Sequence, residues 1–295
     1  KLCIKYSKFN LCSLCFKIFK RKVDMFKKII NVLNRLIREV CNRNVSDSSQ
    51  KIYPDFCLNA SKNENIFRTF RSHKDYKPIL EHVGYEMGVT YFKNIKNISS
   101  LEEDDIFNIC SKLSHIGGPE LYQIKNYDLN PTSLRYLNVA CDIRNKFNKQ
   151  TFKNVIEIGA GYGGQSIVMN ELFNIEKYTY VDLEQVIPLI NKFVENYELN
   201  FDYDFKTLSD EFNSGYDLLI SNYSFSELPM KLQKSAIKKI VNKSKNVYMI
   251  CNHMYNFSFR YLNIKQLKKY IKNLEFHNEV PPSNIYNMLL IAKKN

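Results

Sequence analysis

Tryptophan is missing from the 295 residues, histidine occurs five times and glycine only nine times. No apolar run approaches the roughly 18 residues that a helix needs to cross a bilayer. The run 11–19 is apolar but short, is interrupted by Lys17 and has no small-residue cleavage site, so no secretory leader is expected. Of eight cysteines only Cys12 and Cys15 form a C-x-x-C pair. Neither a second pair nor a nearby histidine completes a zinc set, and no metal site is expected. Scattered free thiols fit a reducing, cytoplasmic setting. The surplus of Lys, Asn, Ile, Tyr and Phe reads as base-composition bias as much as function and indicates no activity.

What is present begins with charge. The net charge is +13, but residues 1–50 hold twelve Lys or Arg against three Asp or Glu, leaving 31 basic and 27 acidic residues in all the rest. The basic excess therefore belongs to the N-terminal arm, and no nucleic-acid footprint is expected on the remainder. Within the arm, Phe26, Ile29, Ile30, Leu33, Leu36, Ile37 and Val40 recur at helical spacing, with Lys27, Lys28, Arg35 and Arg38 turned elsewhere. Such a helix suits an anionic membrane surface, a neighbouring subunit or its own domain. A cytoplasmic protein, at the inner face of the membrane if the arm docks there, is the expected location. The chain starts on Lys1 while Met25 opens this helix, which leaves open that the residues before Met25 are not native.

At 44% apolar residues the chain can bury a core of domain size. Three segments are expected: the arm 1–50, a helical region 51–132, and an α/β domain 133–295. In the second, 65–113 has mostly helical spacing, the acidic stretch 102–105 opens a helix, and Gly117, Gly118 and Pro119 turn the chain. Pro131, Thr132 and Ser133 start a helix through Phe147. In the third, strands are expected at 154–158, 177–181, 201–205, 217–221, 246–251, 274–280 and 286–293. Helices are expected at 165–173, 183–197, 228–242 and 264–271. Alternation of this kind predicts a mostly parallel sheet covered on both faces. The last two strands are too close for a crossover, so the final one should run antiparallel.

The α/β domain is organised around V-I-E-I-G-A-G-Y-G-G-Q at 155–165, which holds four of the nine glycines. A strand, a glycine turn and a helix start let backbone approach a nucleotide-like ligand. Gly159, Gly161 and Gly164 satisfy the dinucleotide pattern G-x-G-x-x-G. Glu157 with Gly159, Gly161 and Gly163 satisfies acidic-x-G-x-G-x-G instead, and the letters alone do not choose. Asp182, about twenty residues on at the end of the second strand, can bind a ribose diol or cap a helix beginning near Leu183.

These segments, V-I-E-I-G-A-G-Y-G-G, Y-T-Y-V-D-L-E-Q-V and Y-D-L-L-I-S-N-Y-S-F-S-E-L-P, resemble the signature segments of class I S-adenosylmethionine-dependent methyltransferases. More narrowly, they resemble the bacterial sugar O-methyltransferases of surface-polysaccharide (capsule) gene clusters. The resemblance covers about 133–293, and S-H-I-G-G-P-E-L-Y at 114–122 resembles that family's lead-in more loosely. It implies a Rossmann-like methyltransferase domain over 133–295, with a seven-stranded sheet, last strand antiparallel, after a mainly helical region, 51–132, that would hold the acceptor or close over it as a lid, the 114–122 turn included. It also implies S-adenosyl-L-methionine as methyl donor, with S-adenosyl-L-homocysteine as product, and a small-molecule, nucleotide-linked or oligosaccharide acceptor. By the same resemblance, Glu157 would help hold the methionine ammonium, and Gly159, Ala160, Gly161 and Gly163 would pass close to that moiety. Asp182 would bind the ribose, Leu183 would lie against the adenine, and Ser221, Asn222 and Tyr223 would line the side where methyl faces acceptor. The third strand departs from the family's pattern, since 205–208 lacks an acidic residue.

A sugar hydroxyl must lose its proton to attack a methyl group, so a base is expected near the carboxyl ends of the fourth and fifth strands. Glu227 qualifies, with a helix-capping role as the alternative. His253 qualifies by position and by its ordinary titration range, with plain packing as the alternative. His115, beside the 117–118 glycines, is a third candidate. An oxygen on a phosphate or phosphoramidate decoration is the second acceptor class, and a non-catalytic cofactor-binding scaffold is the reading of another kind. A base methyltransferase is disfavoured because the turn Ser221-Asn222-Tyr223-Ser224 has no prolines. Cys251 reads as a buried strand thiol.

Overall fold

The computed structural model describes residues 52–212, 215–252 and 261–294. The helix expected in the arm, the Cys12–Cys15 pair and His253 lie outside the described residues. All described residues belong to one unit, Asn44–Asn295.

Seven strands form the central sheet: β3 (Thr151–Ile158), β4 (Asn174–Val181), β5 (Asp202–Lys206), β6 (Tyr216–Asn222), β7 (Ser244–Cys251), β8 (Leu274–Asn278) and β9 (Met288–Lys293). Two shorter ones, β1 (Tyr122–Ile124) and β2 (Tyr127–Leu129), make a separate hairpin. The order across the sheet is β5-β4-β3-β6-β7-β9-β8. Neighbours from β5 to β7 pair in parallel, and β9 runs antiparallel to both β7 and β8. The chain thus reverses its direction of travel between β3 and β6, and the carboxyl ends of these strands open a crevice where such sheets take ligands.

Side chains alternating along each strand feed two cores. Val155, Tyr178, Leu218, Ile220, Tyr248 and Ile291 face one side. Ile156, Ile158, Leu219, Val247, Met249 and Leu290 face the other. That alternation, with both faces filled, is why the strands read as nearly continuous apolar runs.

Helices on the first face come from both halves of the chain. In order they are α1 (Ile52–Lys62), α2 (Glu64–Phe67), α3 (Lys77–Leu80), α4 (Tyr85–Ile98), α5 (Glu103–Ser111), α6 (Pro131–Phe147), α7 (Gly164–Leu172) and α8 (Ile187–Val194). In α4 the buried residues Gly88, Tyr91, Phe92 and Ile95 recur at helical spacing. Gly88 is small because α6 begins against it: an added Cβ would lie 3.0 Å from Pro131 Cβ and 2.8 Å from Ile124 Cδ1. Helix α6 is buried nearly all round, from Pro131 through Cys141. Two longer helices, α10 (Met230–Lys239) and α11 (Ile264–Tyr270), follow the four-residue α9 (Ser224–Glu227) and supply Ala236, Ile237 and Leu267 to the second core. Among the described residues no helix is long and apolar enough to cross a membrane.

Local chemistry shifts several element ends. Asn130 caps α6: its side chain accepts from Ser133 N, and Pro131 takes the first helical position, where a missing N–H costs nothing. Helix α5 opens on a reciprocal capping box between Glu102 and Asp105, in keeping with the acidic stretch. The helix expected over 183–197 forms only from Ile187 to Val194, because the chain turns at 184–186 and Pro188 suits the first turn of a helix. The region around Phe70 and Leu80, where helical spacing is expected, forms only short turns of helix, at Glu64–Phe67, Phe70–Ser72 and Lys77–Leu80.

Candidate functional site

Strand β3 ends at Ile158, and the next residues run with positive φ at Gly159, Gly161 and Gly163 before α7 starts. Close approach fixes the first of these positions: a Cβ on Gly159 would lie 2.1 Å from Ser224 Cβ and Oγ. The loop is held by Gly159 N donating to Val181 O at 2.7 Å, so the ends of β3 and β4 are tied together.

Two carboxylates stand at this junction. Asp182, just past β4, accepts from Gly161 N at 3.0 Å and from Leu183 N at 2.8 Å. Desolvation raises its pKa to about 6, against the lowering effect of the Gly161, Leu183 and Ala160 backbone N–H groups. The helix after it begins only at Ile187, so Asp182 is not its cap. Glu157 is buried in β3 and accepts from the Tyr178 hydroxyl at 2.8 Å. Desolvation lifts it to about 8, the Tyr178 bond pulling the other way and the Asp182 charge adding to the rise. Among the described residues no cation forms an ion pair with either acid.

Both acids, with Gly159, Ala160 and Gly161, line a cavity of about 440 Å³ that also takes in Asn222, Tyr223, Ser224, Glu227 and Asn252 from the ends of β6 and β7. That volume lies within the usual range for small-ligand sites. Asn222 donates to Gln165 Oε1 at 3.1 Å, while its own Oδ1 is buried with no partner. Tyr223 has φ +69, a backbone conformation uncommon for a bulky residue. Its N–H donates to Ile250 O at 2.7 Å, and its hydroxyl donates to Glu279. Three of the residues expected to hold the cofactor stand apart from the cavity. Ser221 is fully buried and bridges Ile158 O and Phe225 N, and neither it, Gly163 nor Leu183 is on the cavity wall.

Glu227 closes α9 on the cavity wall. Helix α10 starts three residues later with Pro229 at its cap position, so Glu227 does not cap it. Asn252 Nδ2 lies 3.5 Å from Glu227 Oε1, and Asn252 is itself fixed through Ser226, whose hydroxyl meets its Oδ1 at 2.6 Å.

More of the wall comes from the helical region, expected as the acceptor or lid side, and from α6, through residues that no motif singles out. Leu80, His82, Val83 and Met87 border the cavity together with Tyr53, Tyr91 and Arg135. Although exposed as a residue, His82 is held below its ordinary pKa by the protein around its ring and by the charge of Arg135. Arg135 is buried, and its guanidinium carbon lies 5.5 Å from the Tyr136 ring centre and 5.7 Å from that of Tyr223. No motif marks these residues, because they line up only after α4 and α6 pack.

The 114–122 turn is anchored from inside. Fully buried Arg71 donates to Glu81 Oε1 at 2.6 Å, to Asn130 Oδ1 at 3.1 Å, and to the carbonyls of Leu113 and Ile116. Asn130 Nδ2 in turn donates to Glu81 Oε2 and Glu120 O, each at 3.1 Å. Every charge in this network is paired, which marks it as structural. His115 on the turn is exposed and does not line the cavity. Among the described residues no group of three His, Cys, Asp or Glu side chains is placed to hold a metal ion.

No protein-family profile and no curated protein matches this chain. Among solved structures it is similar to TehB from Haemophilus influenzae, at 19% identity over 53% of this chain and 61% of that one, with a TM-score of 0.40. It is similar to an S-adenosylmethionine-dependent methyltransferase from Clostridium acetobutylicum, at 11% identity over 55% and 92%, with a TM-score of 0.44. It is also similar to the N-methyltransferase NodS from Bradyrhizobium japonicum in complex with S-adenosyl-L-homocysteine, at 12% identity over 53% and 83%, with a TM-score of 0.40.

Proposed function

We propose that this protein is an S-adenosylmethionine-dependent O-methyltransferase acting on a sugar or sugar-linked group of a bacterial surface polysaccharide. The observation that carries the cofactor half is the pair of desolvated acids, Glu157 and Asp182, flanking a glycine cradle with no cation paired to either among the described residues. A ligand bringing positive charge and hydroxyl donors relieves that desolvation. A dinucleotide would instead bring its pyrophosphate anion to the same loop, beside Glu157.

The residues fit the cofactor at four points. Glu157 and the orphaned Asn222 Oδ1 are acceptors for its ammonium, Asp182 has lone pairs left for the ribose hydroxyls, and Gly159 leaves the cradle clear. When bound, S-adenosylmethionine supplies a methyl group on a sulfonium, already a good leaving group. The chain's task is to orient the acceptor oxygen and remove its proton. Glu227, on the cavity wall beside Asn252, is the base in this reading, with His82, also on the wall, as the second candidate. Tyr223, clamped by Ile250 O and Glu279, shapes the acceptor side.

The acceptor class rests on the sequence resemblance of 155–164, 178–186 and 216–229. It is tested by mass spectrometry of surface glycans from cells with and without the gene. The expected result is one methyl group on a sugar oxygen that disappears with the gene. Unchanged glycans, with methyl transfer to another kind of acceptor, would remove the sugar assignment.

A further inference from the structure

Arg135 is the one guanidinium on the cavity wall among the described residues, and it is 5% exposed. Its partners are few. One nitrogen donates to Leu80 O at 3.2 Å, two tyrosine rings lie beside it, and Nε is buried with no hydrogen-bond partner. The nearby carboxylates are committed elsewhere. Glu81 is paired with Arg71, and Glu279 accepts from the Tyr223 and Ser283 hydroxyls, from Ser283 N and from Asn287 Nδ2. A buried guanidinium left without an anion is costly, and its planar fork suits a carboxylate or phosphate.

Position indicates which ligand would bring that anion. Glu157, Gly161 and Asp182 lie at the ends of β3 and β4, on one half of the sheet. Arg135 instead borders a small void shared with Tyr223, Tyr248, Ile250 and Leu289, which follow or belong to β6, β7 and β9 on the other half. We propose that Arg135 binds a negatively charged group, a phosphate or carboxylate, carried by the acceptor. The inference rests on the methyltransferase reading and narrows its substrate to an anionic sugar or sugar phosphate.

Isothermal titration on protein saturated with S-adenosylhomocysteine tests this, with galactose 1-phosphate, galacturonate and neutral galactose as probes, on wild type, Arg135→Met and Arg135→Lys. At least one anionic probe should bind wild type about tenfold or more tightly than galactose, and Arg135→Met should lose that preference. Arg135→Lys, which keeps the charge without the fork, should retain part of it and serves alone if the Met variant does not fold. Affinity for S-adenosylhomocysteine should stay within about threefold in both variants. Anions binding no better than galactose, or a preference that survives Arg135→Met, would overturn the proposal. So would a selective loss of S-adenosylhomocysteine affinity in folded variants, which would assign Arg135 to the cofactor's own carboxylate. If wild type fails to bind S-adenosylhomocysteine at all, the methyltransferase reading fails instead, and the anion titrations on unloaded protein still decide the role of Arg135.

Discussion

The Asp182 carboxylate, just past the end of β4, accepts a hydrogen bond of 3.0 Å from the backbone N–H of Gly161, in the loop that follows β3. One side chain thus both shapes the glycine loop and faces the cavity. Replacing it by alanine should weaken S-adenosylmethionine binding by about tenfold or more, since the loop loses an anchor and the ribose an acceptor. Asp182→Asn should keep part of the loop contact and lose less. Titration calorimetry of both variants reads this directly, and unchanged affinity in Asp182→Ala would take the residue out of the binding site.

Glu157 makes stability depend on pH. Its pKa is raised from 4.5 to about 8 in the fold. Between those values the folded chain keeps a proton that the unfolded chain has lost, so its contribution to stability is greatest below pH 4.5 and drains away as pH rises toward 8. Glu157→Gln removes that dependence. The ligand-free variant should gain on wild type as pH rises across this window, by on the order of a few kcal/mol, measured by urea unfolding. Wild-type affinity for S-adenosylmethionine should climb over the same window, because an ammonium pairs with the carboxylate form, and the variant's should not. Parallel pH profiles for the two proteins would contradict this assignment.

Glu227 lines the cavity and does not cap α10. In Glu227→Gln we expect turnover to fall by about a hundredfold, typical of losing a general base, with S-adenosylhomocysteine affinity nearly unchanged. His82→Ala should act the same way but more weakly. Equal losses of binding and turnover would make the residue structural.

Gly159 has φ +76, and Ser224 fills the space a side chain would need. Gly159→Ala should cost about 1–2 kcal/mol from backbone conformation alone, and more from displacing Ser224. Thermal unfolding should show the loss and calorimetry a weakened cofactor site. A variant as stable as wild type would mean that the loop relaxes freely.

The sheet was legible because its central strands, β3, β4, β6 and β7, are largely apolar on both faces and end in glycine, aspartate or polar turns. The seven expected strands all form, within a few residues of the expected ends, and the last is reversed. The cofactor half of the site was legible for the same local reason: Glu157, Gly159 and Gly161 are neighbours in sequence, and Asp182 follows at the next strand end. On the acceptor side only the region, 51–132, could be named, and not its residues. His82 reaches the cavity from the loop between α3 and α4, Tyr91 from α4 and Arg135 from α6, and their meeting depends on packing such as that of Gly88 against Pro131, which has no sequence pattern. The β1–β2 hairpin was missed because each strand is three residues long, too short for alternation to register.

In the proposed function the cavity lined by Glu157, Asp182 and Tyr223 binds S-adenosylmethionine. Isothermal titration of the whole chain with S-adenosylmethionine and, separately, with NADH tests it most directly. One S-adenosylmethionine should bind saturably per chain, more weakly in Asp182→Ala, and NADH should not bind at the same concentrations. Folded protein that takes up NADH, or that gives no heat with S-adenosylmethionine, would contradict it.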